Sequence, residues 1–119
     1  MQYLLLCCID EKAWDALPAT ERDRVMQRYD EWSQEVVRSG HFRAGGKLQS
    51  TATATTVREK NGKRFVLDGP FAETREQVGG YHLVECKDLD EAISIAGRIP
   101  TLRVGGAVEV RPLESIPPR

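Results

Sequence analysis

The segment that most restricts the fold is residues 3–9, seven consecutive apolar side chains near the start of the chain. Side chains of a β-strand alternate between its two faces, so an unbroken apolar run predicts a strand that is covered on both sides. A sheet with helices on one face leaves its other face bare, and the sheet of a second copy can cover it. The run therefore predicts a central strand in a homodimer.

Length and charge set further limits. A chain of 119 residues predicts one domain, residues 1–119, that hides about two thirds of its unfolded surface. Seventeen basic and eighteen acidic residues leave a net charge of −1, which lacks the positive field that attracts nucleic acid or anionic membranes. The longest apolar run falls far short of the roughly 20 residues that cross a bilayer. We therefore expect a cytoplasmic protein without nucleic-acid or membrane partners.

The spacing of the three cysteines and two histidines does not indicate a metal site. Cys7 and Cys8 are neighbours in the predicted strand and point to opposite faces, and Cys86 ends a different strand. There is no C-x-x-C pair, and neither His41 nor His82 has zinc-site spacing from a cysteine. The sequence thus predicts buried reduced thiols, no metal site and no cofactor.

Helical patterns begin after the first strand. Residues 10–17 predict a short turn or helical stub, and residues 20–39 predict the longest helix, with Thr20 as its N-cap. The apolar residues of this helix share one stripe, which predicts packing on a sheet. They are Val25, Tyr29, Trp32 and Val36, widened by Met26.

The middle of the chain predicts strands. Residues 42–49 contain Gly45-Gly46, and strands 53–59 and 64–67 flank Asn61-Gly62, a pair that favours a type I′ hairpin turn. A further strand, 81–86, precedes a helix that Asp88 caps and Pro100 ends. The predicted buried side of this helix is Leu89, Ala92, Ile93 and Ala96. A last strand spans 104–113, and residues 113–119 predict an extended tail.

This order of elements predicts an α+β fold, a ferredoxin-like split β-α-β sandwich with an added β-hairpin. A polar loop, residues 68–77, follows the hairpin and combines a turn with an aromatic residue and three carboxylates. With Gly79-Gly80 close behind it, the loop predicts a pocket rim where backbone can approach a ligand. The alternative is a solvated connection in which Asp-Gly-Pro only forms a turn.

Candidate site residues follow from this loop. Asp68, Glu73 and His82 are candidates for acid-base catalysis, although the register that decides the face of His82 is open. Glu109 and Arg111 share a face of the last strand and either contact a ligand or form an interface or surface ion pair. The complete set of candidate ligand contacts is Gly69, Pro70, Phe71, Glu76, Gly79, Gly80, Tyr81, Glu109 and Arg111.

The run from residue 68 to 81, DGPFAETREQVGGY, resembles the signature of the DGPF-domain family, a branch of the YCII-related proteins. Residues 1–8, the Trp14 segment, and residues 48–58, 88–100 and 106–112 are also similar to the family pattern. The resemblance implies a ferredoxin-like subunit that pairs into a dimeric α/β barrel. It implies no substrate, since the family as a whole lacks an established reaction.

One feature departs from the relatives. YCII-related proteins are associated with a His-Asp pair whose histidine comes from the start of the first helix region. Residues 20–39 contain no histidine, so the resemblance does not carry that pair over to this chain. The sequence also lacks a Walker motif, G-x-S-x-G and G-x-G-x-x-G, which leaves nucleotide binding and serine hydrolysis unsupported.

Two functional hypotheses remain. The first is an enzyme or binding protein for a small molecule, with Asp68 or Glu73 moving a proton in a dimer cleft. The second is a non-catalytic regulatory or binding module associated with a sigma factor of the extracytoplasmic-function type, which the resemblance suggests. Phe71 has a structural alternative of its own, namely packing into the core or across the dimer interface.

Overall fold

Residues 1–115, the part described by the computed structural model, form six strands and three α-helices. The strands are β1 (Gln2–Ile9), β2 (Phe42–Lys47), β3 (Thr55–Lys60), β4 (Lys63–Asp68), β5 (Gln77–Glu85) and β6 (Ala107–Pro112). The α-helices are α1 (Glu11–Ala16), α2 (Ala19–Arg38) and α3 (Leu89–Ala96), and short 3-10 helices span Thr51–Thr53 and Pro100–Val104.

The main sheet is antiparallel with the strand order β2-β5-β1-β6. The long helix and α3 cover one of its faces, which confirms the predicted ferredoxin-like split β-α-β arrangement. The added hairpin of β3 and β4 forms a separate two-stranded sheet.

Strand β1 shows two different faces. Tyr3, Leu5 and Cys7 are buried under the helices, in line with the alternation of a strand. Leu4 and Leu6 lie on the other face and are only half-buried. We call this second surface the open face of the sheet. The predicted central position of β1 is confirmed, because β1 lies between β5 and β6. The described chain covers only one of its two apolar faces, so the cover of the other face stays a prediction.

Helix α2 packs its aromatic stripe on the sheet as predicted, with Val25, Trp32 and Val36 buried. Its predicted N-cap is wrong. The helix begins at Ala19, and Pro18 occupies the N-cap without a side-chain hydrogen bond. Proline holds φ near the value that a first helical turn needs, so the helix starts before the threonine.

The hairpin turn is confirmed, because Asn61 and Gly62 have φ values of 53° and 77°. Most side chains of β3 and β4 are exposed, including Phe65, Val66 and Leu67. We call residues 55–76 the hairpin arm, since they leave the sheet after β2 and return at β5.

Two predicted boundaries around β5 and β6 are wrong. Gly79 and Gly80 do not precede a strand that starts at Tyr81, because β5 already begins at Gln77. The last strand starts later than residue 104, because Val104 belongs to a 3-10 helix.

Helix α3 also differs from its prediction. Asp88 caps it as expected by accepting a hydrogen bond from the Glu91 amide at 2.9 Å. However, Leu89 and Ile93 are about half exposed, and the buried side contains Ile95 together with Ala92 and Ala96.

The end of α3 was also predicted wrongly. The helix ends at Ala96, and Pro100 starts the following 3-10 helix instead of ending α3. Proline suits the first turn of a helix because it needs no hydrogen-bond partner there.

The predicted tail at residues 113–119 is described only in part. Residues 113–115 form no helix or strand, and residues 116–119 lie outside the described part of the chain. Within residues 1–115, no helix has the length and apolar character needed to span a membrane.

Candidate functional site

A cavity of about 870 Å³ lies on the helix-covered side of the sheet. Its walls come from α1, α2, β2 and the segment after β2, and its floor comes from β1 and β5. Trp14, Met26 and Phe42 give these walls an apolar character, while charged residues such as Asp30 and Lys47 also line them. Volumes of several hundred Å³ with mostly apolar walls are typical of sites for small molecules.

The floor of the cavity contains His82, which is only 7% exposed. Its position opposite Leu5 in the β1–β5 register places it on the helix-covered face, which answers the question that the sequence left open. The hydroxyl of Tyr29 is hydrogen-bonded to Nε2 of His82. The ring of Trp32 packs edge-on against the imidazole, with ring centroids 4.8 Å apart.

A second hydrogen bond extends this network, because Cys7 Sγ lies 3.4 Å from the hydroxyl of Tyr29. Burial lowers the pKa of His82. Burial also raises the pKa of Tyr29 and that of the Cys7 thiol. Desolvation disfavours each charged form, so all three groups are neutral at pH 7. The hydrogen-bonded groups therefore carry exchangeable protons while remaining uncharged in the apolar floor of the cavity.

The other ring nitrogen of His82, Nδ1, faces Gly45 of β2. A Cβ atom on Gly45 would lie 2.8 Å from Nδ1 and 3.0 Å from the carbonyl oxygen of Tyr81. Within residues 1–115, Nδ1 makes no hydrogen bond, whereas Nε2 is bound to Tyr29. Because Gly45 has no side chain, it leaves this nitrogen open on the cavity side of the sheet.

Replacing Gly45 by alanine should displace the His82 ring and break its bond to Tyr29. We expect a loss of about 1–3 kcal/mol in the free energy of unfolding, as for other overpacked sites. Denaturant unfolding measures this loss. Gly46→Ala is the matched control, because its Cβ would meet only the ring of Tyr81, at 3.3 Å. Equal losses in the two variants would show that the space beside Nδ1 is not special.

The lowered pKa of His82 also predicts a pH dependence of stability. An unfolded chain binds this proton with the ordinary pKa of about 6.5, and the folded chain binds it only at lower pH. Stability should therefore fall as pH falls below that value. Between about pH 7.5 and pH 5, the wild type should lose more stability than His82→Gln.

Denaturant unfolding at several pH values measures this difference. His41→Gln is the control, since His41 is bound to Ser39 and Glu91 away from the cavity and its variant should keep the contribution of His82. Parallel pH profiles for the wild type and His82→Gln would contradict the burial of a neutral imidazole.

The loop of residues 68–77, which we call the acidic loop, lies outside the cavity. Asp68 ends β4 and is exposed, as are Glu73 and Phe71, the latter to 78%. None of these three residues lines the cavity. The turn itself is ordered by hydrogen bonds, since the Gly69 amide donates to the carbonyl oxygen of Ala54 at 2.7 Å. Within the described chain, the structure therefore does not bring the loop carboxylates to His82.

The remaining candidates are divided between several surfaces. Gly79 and Gly80 line the cavity, whereas Glu76 lies in a shallow recess beside Asp10. Half-buried Gly69 and Pro70 belong to the turn of the loop.

Three other candidates lie on the open face of the sheet. Tyr81 alternates with His82 and so points to this face, and Glu109 and Arg111 stand opposite Leu6 and Leu4. Arg111 and Glu109 form an ion pair at 3.2 Å.

Sequence reasoning missed two members of the network. The sequence explains Tyr29 only as part of the apolar stripe of α2, and Cys7 only as one of the buried reduced thiols. The usable signal was a tyrosine in an otherwise apolar stripe, because a buried hydroxyl needs a hydrogen-bond partner. Cys7 and Cys86 are buried and Cys8 is half-buried, all with free thiols. In residues 1–115, no group of three or more metal-ligating side chains comes together.

Comparison with known proteins places this fold in a family. The sequence model of the YCII-related domain matches residues 1–116. An uncharacterised protein of Rhizobium meliloti (strain 1021) is 38% identical over 114 residues, covering 95% of this chain and 92% of the relative.

A solved structure is similar in fold: 5-chloro-2-hydroxyhydroquinone dehydrochlorinase from Burkholderia phenoliruptrix AC1100, in complex with 2,5-dihydroxybenzoquinone. The TM-score is 0.56 at 14% identity, covering 96% of this chain and 94% of that one. This likeness concerns the fold alone. The family match and the relative at 38% identity show that the chain belongs to the YCII-related domain family.

Proposed function

We propose that this protein binds a small, flat molecule in the cavity beside α2 and that His82 exchanges a proton with it. The observation that carries this proposal is a buried, neutral imidazole with one nitrogen bound to Tyr29 and the other open beside Gly45. Enzymes use histidine as a general base or acid because the ordinary pKa of an imidazole, about 6.5, lies near neutral pH.

The Tyr29 hydroxyl allows proton transfer in both directions. When Nε2 carries the ring proton, it donates to the oxygen of Tyr29, and Nδ1 has a free lone pair that can take a proton from a ligand hydroxyl. When the Tyr29 hydroxyl donates to Nε2, Nδ1 carries the proton and can give it to a ligand oxygen. Cys7 ends the chain of hydrogen bonds and can accept from or donate to the hydroxyl.

An aromatic or quinone-like ligand suits the surroundings of His82. Trp14 and Phe42 line the walls, and the glycines of β2 and β5 leave the floor beside the imidazole without bulky side chains. The similar dehydrochlorinase is in complex with 2,5-dihydroxybenzoquinone, which supports hydroxylated quinones and phenols as the first compounds to test.

A homodimer is part of the proposal. The radius of gyration is 16.4 Å, whereas a compact chain of this length has about 13.5 Å. The open face and the hairpin arm both expose apolar side chains, and a two-stranded hairpin alone is marginally stable in water. A second copy that packs on the open face covers this surface, which supports the dimeric α/β barrel.

The loop carboxylates have a place in the proposal only within such a dimer. Asp68 and Glu73 can act on the ligand only if the loop of one copy reaches the cavity of the other. Their exposure in the described chain leaves them free for such a contact. Asp68→Asn and Glu73→Gln therefore serve as comparison variants, and the cavity variants carry the main test.

A panel of phenols, hydroxyquinones and carbonyl compounds tests the proposal, with thermal shift for binding and absorbance for turnover. We expect at least one compound to stabilise the wild type and to stabilise His82→Gln less. Asp68→Asn should keep that effect unless the loop enters the cavity. If no compound binds and a sigma factor co-purifies from native lysate, the regulatory hypothesis replaces this one.

A further inference from the structure

Two neighbouring carboxylates, Asp10 and Glu11, contact the end of the hairpin arm and the connection that leads into it. Asp10 Oδ2 accepts a hydrogen bond from Arg75 Nε at 3.2 Å, at the end of the arm. Glu11 accepts from Ser50 and Thr51, just before the arm begins. The junction between β1 and α1 is therefore the anchor of the arm on the rest of the chain.

The contacts of Glu11 are the more extensive of the two. Its carboxylate accepts from the Ser50 hydroxyl at 3.0 Å, from the Thr51 amide at 2.9 Å and from the Thr51 hydroxyl at 3.1 Å. The bond from the Thr51 amide is the main reason that the pKa of Glu11 is lowered. By contrast, Arg75 is 89% exposed, so its ion pair with Asp10 contributes little.

Both segments joined by Glu11 are walls of the cavity. Glu11 and Trp14 line it from α1, and residues 48–50 line it from the connection after β2. The Leu48 amide donates to the carbonyl oxygen of Gly79 at 2.9 Å, which ties the start of this connection to β5. Within residues 1–115, the hydrogen bonds from Ser50 and Thr51 to α1 all end on Glu11, so their loss would free this end of the connection from α1. The Glu11 carboxylate thus connects two walls of the cavity, α1 and the connection after β2.

We propose that Glu11 is a positioning residue that holds residues 48–51 against α1 and thereby limits access to the cavity that contains His82. The inference rests on the proposed function only in taking this cavity as the ligand site. Since the same connection leads into the arm, a second copy that binds the arm would favour the closed wall.

The test compares Glu11→Ala with Glu21→Ala. Both glutamates lie in the first turn of a helix, but within residues 1–115 the side chain of Glu21 makes no hydrogen bond. Hydrogen exchange is followed at the Thr53 and Ala54 amides, which donate to the carbonyl oxygens of Ser50 and Thr51 and not to Glu11. It should become about tenfold faster in Glu11→Ala, as expected for local opening without global unfolding. The amide of the fully buried Val84 should keep its protection and so report that the core is intact.

Quenching of tryptophan fluorescence by acrylamide gives the second readout. Trp14 lines the cavity and is half-buried, whereas Trp32 is 5% exposed and bound to the carbonyl of Ile95. The quenching constant should therefore rise in Glu11→Ala and stay constant in Glu21→Ala. In Glu11→Gln, the amide oxygen can still accept from Thr51, so we expect an intermediate value.

Unchanged exchange at Thr53 and Ala54 in Glu11→Ala would show that Glu11 does not hold the wall. Faster exchange with unchanged quenching would show that the wall moves without opening the cavity, and it would also overturn the proposal. Both measurements use the protein without a ligand. The role of Glu11 can therefore be tested even if the His82 proposal fails. Likewise, failure of the Glu11 proposal leaves the His82 proposal open to its own test.

Discussion

Replacing His82 by glutamine is expected to lower kcat/KM about 10²–10⁴-fold for the substrate that the panel identifies, the range for a lost general acid or base. Glutamine keeps a polar side chain in the floor but cannot take up and release a proton near neutral pH. Steady-state kinetics over a pH range measures the loss. The ascending limb of the pH–rate profile that reports the imidazole should also disappear.

Tyr29→Phe separates proton transfer from packing, because phenylalanine keeps the ring against Trp32 and removes only the hydroxyl. We expect a smaller loss in kcat/KM than for His82→Gln, together with a shifted pH profile. His41→Gln is the control and should match the wild type. An activity that survives in His82→Gln but disappears in Asp68→Asn would instead assign the proton transfer to the acidic loop.

The substitution Leu6→Lys should separate the proposed dimer into monomers. Leu6 lies at the centre of the open face, between β5 and β6, and a dimer would bury it against the second copy. An unpaired buried charge costs about 3–5 kcal/mol. A homodimer would bury one such lysine from each copy, so the two together cost about 6–10 kcal/mol and raise the concentration at which the dimer dissociates roughly 10⁴–10⁷-fold. Analytical ultracentrifugation measures the change.

Ile93→Lys is the matched control for Leu6→Lys. Ile93 is 50% exposed on α3, away from the open face, so its variant should keep the assembly of the wild type. A wild type that sediments as a monomer, or a Leu6→Lys variant that dimerises like the wild type, would contradict the sheet-to-sheet dimer.

Local patterns explain which parts of the fold were predictable. Asn61-Gly62 determines a turn because the two residues tolerate the positive φ that a type I′ hairpin needs. The helical spacing of Val25, Trp32 and Val36 determines which face of α2 is buried. In both cases the residues that carry the signal are also the ones that adopt the structure.

The boundary errors arise where tertiary pairing overrides a local signal. Gly79 and Gly80 are weak strand formers, yet β5 continues through them because β1 pairs with this segment. In α3, packing on the sheet buries Ile95 and leaves Ile93 exposed, although both residues are apolar. Spacing alone could not distinguish these alternatives.

The candidate site was only partly predictable for the same reason. His82 was identified, but its face depended on the register between β1 and β5. Its partner Tyr29 lies 53 residues away in sequence, on a helix whose stripe already had a structural explanation. The candidate residues of the acidic loop are contiguous in sequence and so form a recognisable pattern. The residues of the His82 network come from three separate elements, which only the fold brings together.

A crystal structure of the complex with 2,5-dihydroxybenzoquinone, or with a tighter compound from the panel, tests the proposed site most directly. We predict a ligand between α2 and the sheet, with an oxygen within hydrogen-bond distance of His82 Nδ1 and the Tyr29–His82 bond intact. A ligand held by Asp68 and Glu73 outside this cavity, with His82 untouched, would contradict it.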